Sequence, residues 1–168
     1  MINEQLLNPK SIIVLGGSND IEKPGGKILF NIISGGFRGK LLVVNPKESF
    51  VQGIKCVPNV NEVNEKYDLA ILAIPAKYTL EAVEVLALEK GVKAFIVLSA
   101  GFSEFGEQGK ILEYKIADTV NKSGASLIGP NCIGVLTQSY KGVFAGLTPE
   151  LSPKGCDMVS ASGATIAF

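Results

Sequence analysis

The residues best suited to chemistry in this sequence are glycines and small polar side chains that follow short apolar runs. The first such loop contains Gly16, Ser18 and Asn19 and ends at Gly25-Gly26-Lys27. Glycines at the start of a helix expose backbone N–H groups, and the helix dipole there favours an anion. Ser18 and Lys27 could add donors. Because the glycine pairs lie further apart than in G-x-G-x-x-G, the loop predicts an anion site without the usual dinucleotide fingerprint.

A lysine follows the second apolar run, in Asn45-Pro46-Lys47. A site for NAD requires Asp or Glu near this position, to accept hydrogen bonds from the ribose hydroxyls. A lysine favours a ribose that carries a phosphate, as in NADP on its 2′-oxygen or coenzyme A on its 3′-oxygen. The alternative interpretation, that Lys47 is one of many solvated surface lysines, stays open.

Three later loops contain the same residue types. They are Pro75-Ala76, Ser99-Ala100-Gly101 and a segment from Gly129 to Gly134 that includes Asn131 and Cys132. Any strand end favours turn residues, but five such loops at one edge of a sheet indicate a ligand site. A catalytic role for Cys132 would require a base, and the sequence contains no His; a buried structural cysteine is the common alternative.

The composition excludes several classes of protein. Hydrophobic residues make up 46% of the 168 residues and charged residues 19%, which is typical of a globular chain. Sixteen basic residues balance sixteen acidic ones, so we expect no binding of nucleic acid or of a membrane surface through bulk charge. Without His, catalytic triads and most zinc sites are excluded, and we predict neither catalytic nor metal-ligating residues.

The cysteines and the N-terminus bear on the cellular compartment. Cys56, Cys132 and Cys156 are widely spaced, which predicts neither a disulfide framework nor a metal knuckle. The first residues lack the basic and apolar regions of a signal peptide, and the apolar runs are too short to span a membrane. We therefore expect a cytoplasmic protein.

The elements that must position these loops are strands and helices in alternation. Five runs predict strands: Ser11 to Leu15, Leu41 to Val44, Leu69 to Ile74, Ala94 to Leu98 and Ser126 to Ile128. Three segments predict helices: Gly26 to Ser34, Thr79 to Lys90 and Lys110 to Lys122. Gly53 to Val57 is a candidate extra strand. Because the strands are apolar on both faces, we predict an α/β fold with a doubly wound, parallel, Rossmann-like sheet. Ligands bind such sheets beyond the carboxyl ends of the strands.

The tail predicts the start of a further element. Asp157 to Ser160 is a candidate strand, and Ser162 is a candidate N-cap for an apolar helix. Fewer than two helical turns follow, too few for a stable helix, so we expect the sequence to come from a longer protein. We predict a domain over residues 1–134, followed over residues 135–168 by a connecting segment and the truncated start of a further domain.

Six motifs, in order and at matching spacings, resemble the N-terminal CoA-binding domain of NDP-forming acyl-CoA synthetases, a family similar to the α subunit of succinyl-CoA synthetase. They are Gly16-Gly17-Ser18, Lys23-Pro24-Gly25-Gly26, Val44-Asn45-Pro46-Lys47, Ala73-Ile74-Pro75-Ala76, Ser99-Ala100-Gly101-Phe102 and Gly129-Pro130-Asn131-Cys132-Ile133-Gly134. The resemblance extends from about residue 8 to the end. The combination of the second-strand and last motifs is its most specific part.

The resemblance implies a site for coenzyme A and acyl-CoA. Ser18, with Asn19 beside it, and the turn from Pro24 to Lys27 would contact the CoA phosphates. Lys47 would face a further CoA phosphate. Pro75-Ala76 and Ser99-Ala100-Gly101 would line the adenosine and pantetheine path, and Asn131 with Cys132 would lie near the thiol end.

The same resemblance implies where catalysis would occur. Enzymes of this family convert acyl-CoA, phosphate and a nucleoside diphosphate into acid, CoA and the triphosphate, through an acyl phosphate and a phosphohistidine. The histidine, the ATP/ADP and Mg sites and the ATP-grasp domain would lie downstream in a ligase region or partner subunit. Ser160 to Gly163 would open a helix facing the phosphohistidine, but Ala161 departs from the Gln or Arg usual there. We expect this chain to bind CoA and not to catalyse alone.

Two alternatives share the predicted fold. An NADP-dependent oxidoreductase domain would also use Lys47, but the compact glycine fingerprint is absent. A regulatory CoA-binding module fused to a protein acetyltransferase would resemble the same region, and the sequence that follows Phe168 would distinguish it from a synthetase.

Overall fold

The computed structural model describes residues 2–146, 148–155 and 158–160 and contains a seven-stranded sheet. In chain order its strands are β1 (Ser11–Leu15), β2 (Lys40–Val44), β3 (Phe50–Val51), β4 (Ile54–Val57), β5 (Leu69–Leu72), β6 (Ala94–Val97) and β7 (Ser126–Ile128). The helices are α1 (Glu4–Leu7), α2 (Pro24–Ser34), α3 (Ala76–Glu84) and α4 (Glu107–Ser123). Short 3-10 turns lie at Val60–Glu62 and Ser103–Phe105.

The strand order is β3-β4-β2-β1-β5-β6-β7, with β3 antiparallel to β4 and the other neighbours parallel. The chain runs outward from β1 through β2 to the β3–β4 hairpin, and then crosses to β5 on the other side of β1. The order therefore reverses between β1 and β5. Such a reversal opens a crevice at the carboxyl ends of the two strands, where doubly wound sheets bind ligands.

Side chains of the central strands alternate between two cores. Ile13, Ala70 and Leu72 pack with residues of α3 and α4 on one face, and Ile12 and Ile71 pack with α2 on the other. All five side chains are fully buried. This burial on both faces explains why the strands are continuous apolar runs in the sequence, and it confirms the predicted α/β, doubly wound sheet.

A second small sheet extends the α2 side of the molecule. Its strands, β8 (Gly134–Leu136) and β9 (Lys141–Val143), form an antiparallel hairpin. The Tyr140 side chain is buried, and its hydroxyl donates to the Leu6 carbonyl oxygen at 2.8 Å. Asn31 of α2 donates from Nδ2 to the Val143 carbonyl oxygen at 2.7 Å. The hairpin thus packs onto the main domain.

The predicted boundaries of the strands agree with the structure for β1 and β7, whereas the other predicted strands and helices begin or end at different residues. α3 begins at Ala76, three residues before the predicted start at Thr79. The prediction started too late because Lys77 and Tyr78 are exposed, so the first turn of the helix shows no apolar periodicity. A π-helical turn, Val85–Glu89, then continues it towards the predicted end. The β8–β9 hairpin and α1 were not predicted.

In the tail, Met158 to Ser160 form no strand, so that part of the prediction is wrong; Asp157 and the helix predicted from Ser162 lie outside the described residues. Among the residues that are described, no helix combines the length and apolar character needed to cross a membrane.

Candidate functional site

The carboxyl end of β1 lies directly against the start of α2. Gly16 has φ of 78°, and a Cβ placed on it would come within 2.4 Å of the Ala73 carbonyl oxygen, just after β5. A Cβ on Gly25 would come within 2.1 Å of the Gly16 carbonyl oxygen. Only glycine permits both approaches. The first turn of α2 is therefore seated on the two strand ends that flank the topological reversal.

This first turn has free hydrogen-bonding capacity. Pro24 is the first helical residue, and Lys23 at the N-cap makes no side-chain hydrogen bond to the turn. The N–H groups of Gly25 and Gly26 lie at helix positions that have no intrahelical acceptor. A helix terminus of this kind favours an anion through its backbone donors and its dipole. Contact of Gly25 and Gly26 with a phosphate stays a prediction.

The polar side chains of the same loop already have partners within the protein. Ser18 Oγ accepts the Asp20 N–H at 3.0 Å, and Asn19 Oδ1 accepts the Gln52 N–H at 2.8 Å. The Lys27 ammonium lies 5.9 Å from the centre of the Phe30 ring, on the same helix. Ser18 and Asn19 thus shape the loop, whereas the Lys27 ammonium contacts an aromatic ring.

A residue that the sequence analysis missed holds this loop from the neighbouring hairpin. Gln52, in the turn between β3 and β4, donates from Nε2 to the Ser18 carbonyl oxygen at 2.8 Å and to the Gly26 carbonyl oxygen at 2.9 Å. Its backbone has φ of 50°, in the left-handed region. The only signal in the sequence is a Gln-Gly pair at the start of the candidate extra strand, Gly53 to Val57, which indicates a turn but no partner.

The end of β2 connects to the loop through Asn45. Its Nδ2 donates to the Gly17 carbonyl oxygen at 2.9 Å, and its Oδ1 accepts the Lys47 N–H at 2.8 Å. Asn45 therefore fixes the turn that carries Lys47 at the same edge as the α2 start. Lys47 is exposed, and among residues 2–146, 148–155 and 158–160 its ammonium forms no ion pair. It is available to an anionic ligand.

The ends of β5 and β6 are joined in the same way. Ser99 Oγ donates to the Ile74 carbonyl oxygen, and a Cβ on Gly101 would lie 3.1 Å from the Ala76 Cβ. Pro75 and Ala100 are both exposed at this edge. The predicted lining residues from the two loops therefore lie side by side.

Glu104 fastens the loop after β6 and was not predicted. Its carboxylate accepts the N–H groups of Gly101 at 2.7 Å and Phe102 at 3.2 Å. These hydrogen bonds, the one from Gly101 foremost, lower the pKa of the Glu104 carboxyl because they favour its ionised form.

The last predicted residues lie beyond β7, next to the end of β6. Asn131, with φ of 54°, donates its N–H to the Ser99 carbonyl oxygen at 3.0 Å. The Cys132 thiol is half-buried and donates to the Val97 carbonyl oxygen at 3.3 Å. Burial raises the pKa of the Cys132 thiol, so it is protonated at neutral pH. This state suits packing rather than nucleophilic attack.

The predicted residues thus form a continuous series along one edge, from the turn after β2 to the loop after β7. A pocket of about 620 Å³ lies at the opposite edge, where Lys10, Arg38 and Lys40 flank the amino ends of β1 and β2. The backbone donors and the reversal of strand order favour the carboxyl edge as the ligand site.

Fold and site together define a doubly wound α/β domain with the start of α2 and the exposed Lys47 at one edge of its sheet. Comparison with known families shows which family of α/β domains this is. A family described as CoA binding domain matches residues 10–138. The chain belongs to this CoA-binding domain family.

Known proteins with similar sequences are ligases. The ADP-forming acetate–CoA ligase I subunit alpha of Pyrococcus furiosus is 37% identical over 166 residues, which cover 96% of this chain and 36% of that protein. The ADP-forming acetate–CoA ligase II of Archaeoglobus fulgidus is 39% identical over 131 residues, 78% of this chain and 19% of that protein.

A solved structure shows the same fold. The dinucleotide forming acetyl-coenzyme A synthetase 1 of Ca. Korarchaeum cryptofilum, in complex with phosphate and ADP, superposes with a TM-score of 0.78 at 34% identity, over 85% of this chain and 31% of that one. This chain therefore spans between 19% and 36% of the length of these relatives. The predicted resemblance to NDP-forming acyl-CoA synthetases is confirmed.

Proposed function

We propose that this chain binds coenzyme A along the carboxyl edge of its sheet, as the CoA-binding module of an ADP-forming acyl-CoA synthetase. The observation that carries the proposal is the uncapped start of α2, seated on Gly16, with the exposed Lys47 on the adjacent turn. CoA carries a pyrophosphate and a separate 3′-phosphate. A helix terminus and an ammonium group suit these two anionic parts.

In this arrangement each predicted residue has a distinct role. The N–H groups of Gly25 and Gly26 bind the pyrophosphate, in the loop shaped by Gly16, Ser18 and Asn19. The Lys47 ammonium pairs with the 3′-phosphate. The remaining part of CoA extends over the loops after β5, β6 and β7, along these residues: Pro75, Ala76, Ser99, Ala100, Gly101, Asn131 and Cys132. The Lys27 ammonium has to leave the Phe30 ring to take part.

The reaction of the intact enzyme requires groups that this chain does not supply. In the proposed reaction, acyl-CoA, ADP and phosphate give the acid, CoA and ATP. The sequence contains no His to carry a phosphoryl group. The phosphohistidine, ATP/ADP and Mg sites therefore belong to a ligase region and an ATP-grasp domain, to which residues 135–168 lead. Cytoplasmic reducing conditions suit the free thiols of Cys56 and Cys132.

Calorimetric titration of the chain with three ligands tests the proposal. We expect CoA to bind about tenfold or more tightly than dephospho-CoA, because the 3′-phosphate gains a charge-assisted contact with Lys47. NADPH should bind more weakly than CoA. Absence of CoA binding, or equal affinity for CoA and dephospho-CoA, would contradict the proposed site. Tighter binding of NADPH than of CoA would favour the oxidoreductase alternative.

A further inference from the structure

Gln52 occupies an unusual position between two parts of the fold. It lies in the β3–β4 turn at the far side of the sheet from β5, yet its hydrogen bonds go to the loop between β1 and α2. The side-chain amide uses its two N–H groups on the carbonyl oxygens of Ser18 and Gly26, and the backbone N–H reaches Asn19 Oδ1. A single residue therefore joins the loop to the first turn of α2.

The two acceptors matter because of their charge. A carbonyl oxygen carries partial negative charge and would repel an anion that approaches the loop. Bonding to Gln52 directs the Ser18 oxygen towards the β3–β4 turn, whereas the Gly26 oxygen, already aligned with the axis of α2, anchors the same amide to the helix. Because a trans peptide places N–H opposite C=O, the Asn19 N–H faces away from the Gln52 amide. The Ser18–Asn19 peptide is thereby held with its carbonyl group towards the β3–β4 turn and its N–H group on the other side.

We propose that Gln52 is a positioning residue for the pyrophosphate of the bound ligand. It fixes the Ser18 carbonyl group away from the ligand, ties the loop to the first turn of α2, and so keeps the loop in its binding conformation before the ligand arrives. The inference rests on the proposed function, since the pyrophosphate is that of CoA. It adds a specific division of roles, in which Gln52 supports pyrophosphate binding and Lys47 binds the 3′-phosphate.

Two substitutions separate this role from a general effect on folding. Gln52→Ala removes both side-chain donors. Gln52→Glu keeps the size of the side chain but turns the donors into charged acceptors facing two carbonyl oxygens. Gln138→Glu makes the same change in charge at an exposed position in the β8–β9 turn and serves as the control. Circular dichroism checks that each variant is folded. If Gln52→Ala does not fold, the test uses Gln52→Glu alone.

The measurement is calorimetric affinity for CoA and dephospho-CoA, with hydrogen exchange of residues 18–26 in the free chain. We expect Gln52→Ala to lose about tenfold in affinity for both ligands alike, and to exchange faster in this segment. Gln52→Glu should lose more, and its deficit relative to wild type should shrink as pH falls towards about 4.3, where a glutamate regains a donor. Gln138→Glu should match wild type.

The outcomes distinguish this inference from the proposed function. If wild type binds both ligands and the Gln52 variants match it, the positioning role is overturned while the proposed function stands. A loss confined to CoA, with dephospho-CoA unaffected, also overturns it, because Gln52 would then act on the 3′-phosphate. If wild type binds neither ligand, the proposed function fails, and the role of Gln52 towards CoA fails with it.

Discussion

Gly25 lies so close to Gly16 that a Cβ on the first would come within 2.1 Å of the carbonyl oxygen of the second. Gly25 lies in the first turn of α2 and Gly16 directly follows β1, so their contact fixes where the helix terminus points. The same Cβ would lie 3.2 Å from the Ala73 Cβ. A helix terminus held by backbone on backbone has little freedom to move, which suits a preformed anion site.

Gly25→Ala should therefore impair both stability and binding. The added methyl group meets a backbone atom that cannot rotate away, so we expect a loss of about 1–3 kcal/mol in the free energy of unfolding, measured in urea. CoA affinity should also fall, because the first turn of α2 is displaced. Gly146→Ala is the control, since a Cβ there has no neighbour within 4 Å. A Gly25→Ala variant as stable as wild type would refute the argument from close packing.

Lys47→Ala should change ligand preference without changing stability. The ammonium is exposed and forms no ion pair among the described residues, so its removal leaves no buried partner. We expect CoA affinity to fall about tenfold or more, while affinity for dephospho-CoA is unchanged, by calorimetry. Lys115→Ala, which removes an exposed lysine of α4, should affect neither ligand. Equal losses of affinity for both ligands would show that Lys47 does not contact the 3′-phosphate.

The burial of the Tyr140 hydroxyl predicts that the protein loses stability at alkaline pH. Burial raises the pKa of the Tyr140 hydroxyl far above its usual 10.0. Below pH 10 the residue is protonated in both the folded and the unfolded chain. Above pH 10 only the unfolded chain releases the proton, so the free energy of unfolding falls, by about 1.4 kcal/mol per pH unit for this residue.

Tyr140→Phe isolates this effect. The variant should be about 1–2 kcal/mol less stable than wild type at neutral pH, because the Leu6 carbonyl oxygen loses its hydrogen bond from the Tyr140 hydroxyl. Between pH 10 and 11 the difference in urea unfolding should narrow, since phenylalanine does not ionise. Parallel decline of the two proteins over that range would assign the alkaline loss to other groups.

The hydrogen bonds of the Glu104 carboxylate predict that the loop after β6 changes its environment when this group is protonated in acid. Hydrogen bonds from Gly101 and Phe102 lower the pKa of its carboxyl, so their contribution is present above the usual glutamate value of 4.5 and disappears as pH falls through the lower folded pKa. The Gly101 amide resonance in an NMR titration should shift with a midpoint below 4.5. In Glu104→Gln this transition should be absent; if it persists, another carboxyl is responsible.

The sequence predicts what depends on local pattern. β1 and β7 are bounded correctly because runs such as Ser11 to Leu15 are apolar on both faces and end in turn residues. The strand-end loops are predictable as a group, because a parallel sheet brings its carboxyl ends to one edge. Once Lys47 is placed after β2, its position at that edge follows from topology alone.

The remaining features depend on contacts between distant residues. The β8–β9 hairpin consists of three-residue strands and is held by Tyr140 on Leu6 and by Asn31 on Val143, which lie more than 100 positions apart in the chain. Gln52 is one polar residue in a short turn, and its partners lie more than 20 positions away. Neither case leaves a periodic signal, so the sequence alone does not reveal it.

Both edge strands of the seven-stranded sheet are short. The outermost strand on one side, β3, has two residues, and on the other side β7 has three. Such strands expose few unpaired backbone groups to another polypeptide, so they give little template for edge-to-edge aggregation or strand exchange. A domain bounded in this way can be joined to further polypeptide, or recombined with different neighbours, without its sheet fusing to theirs.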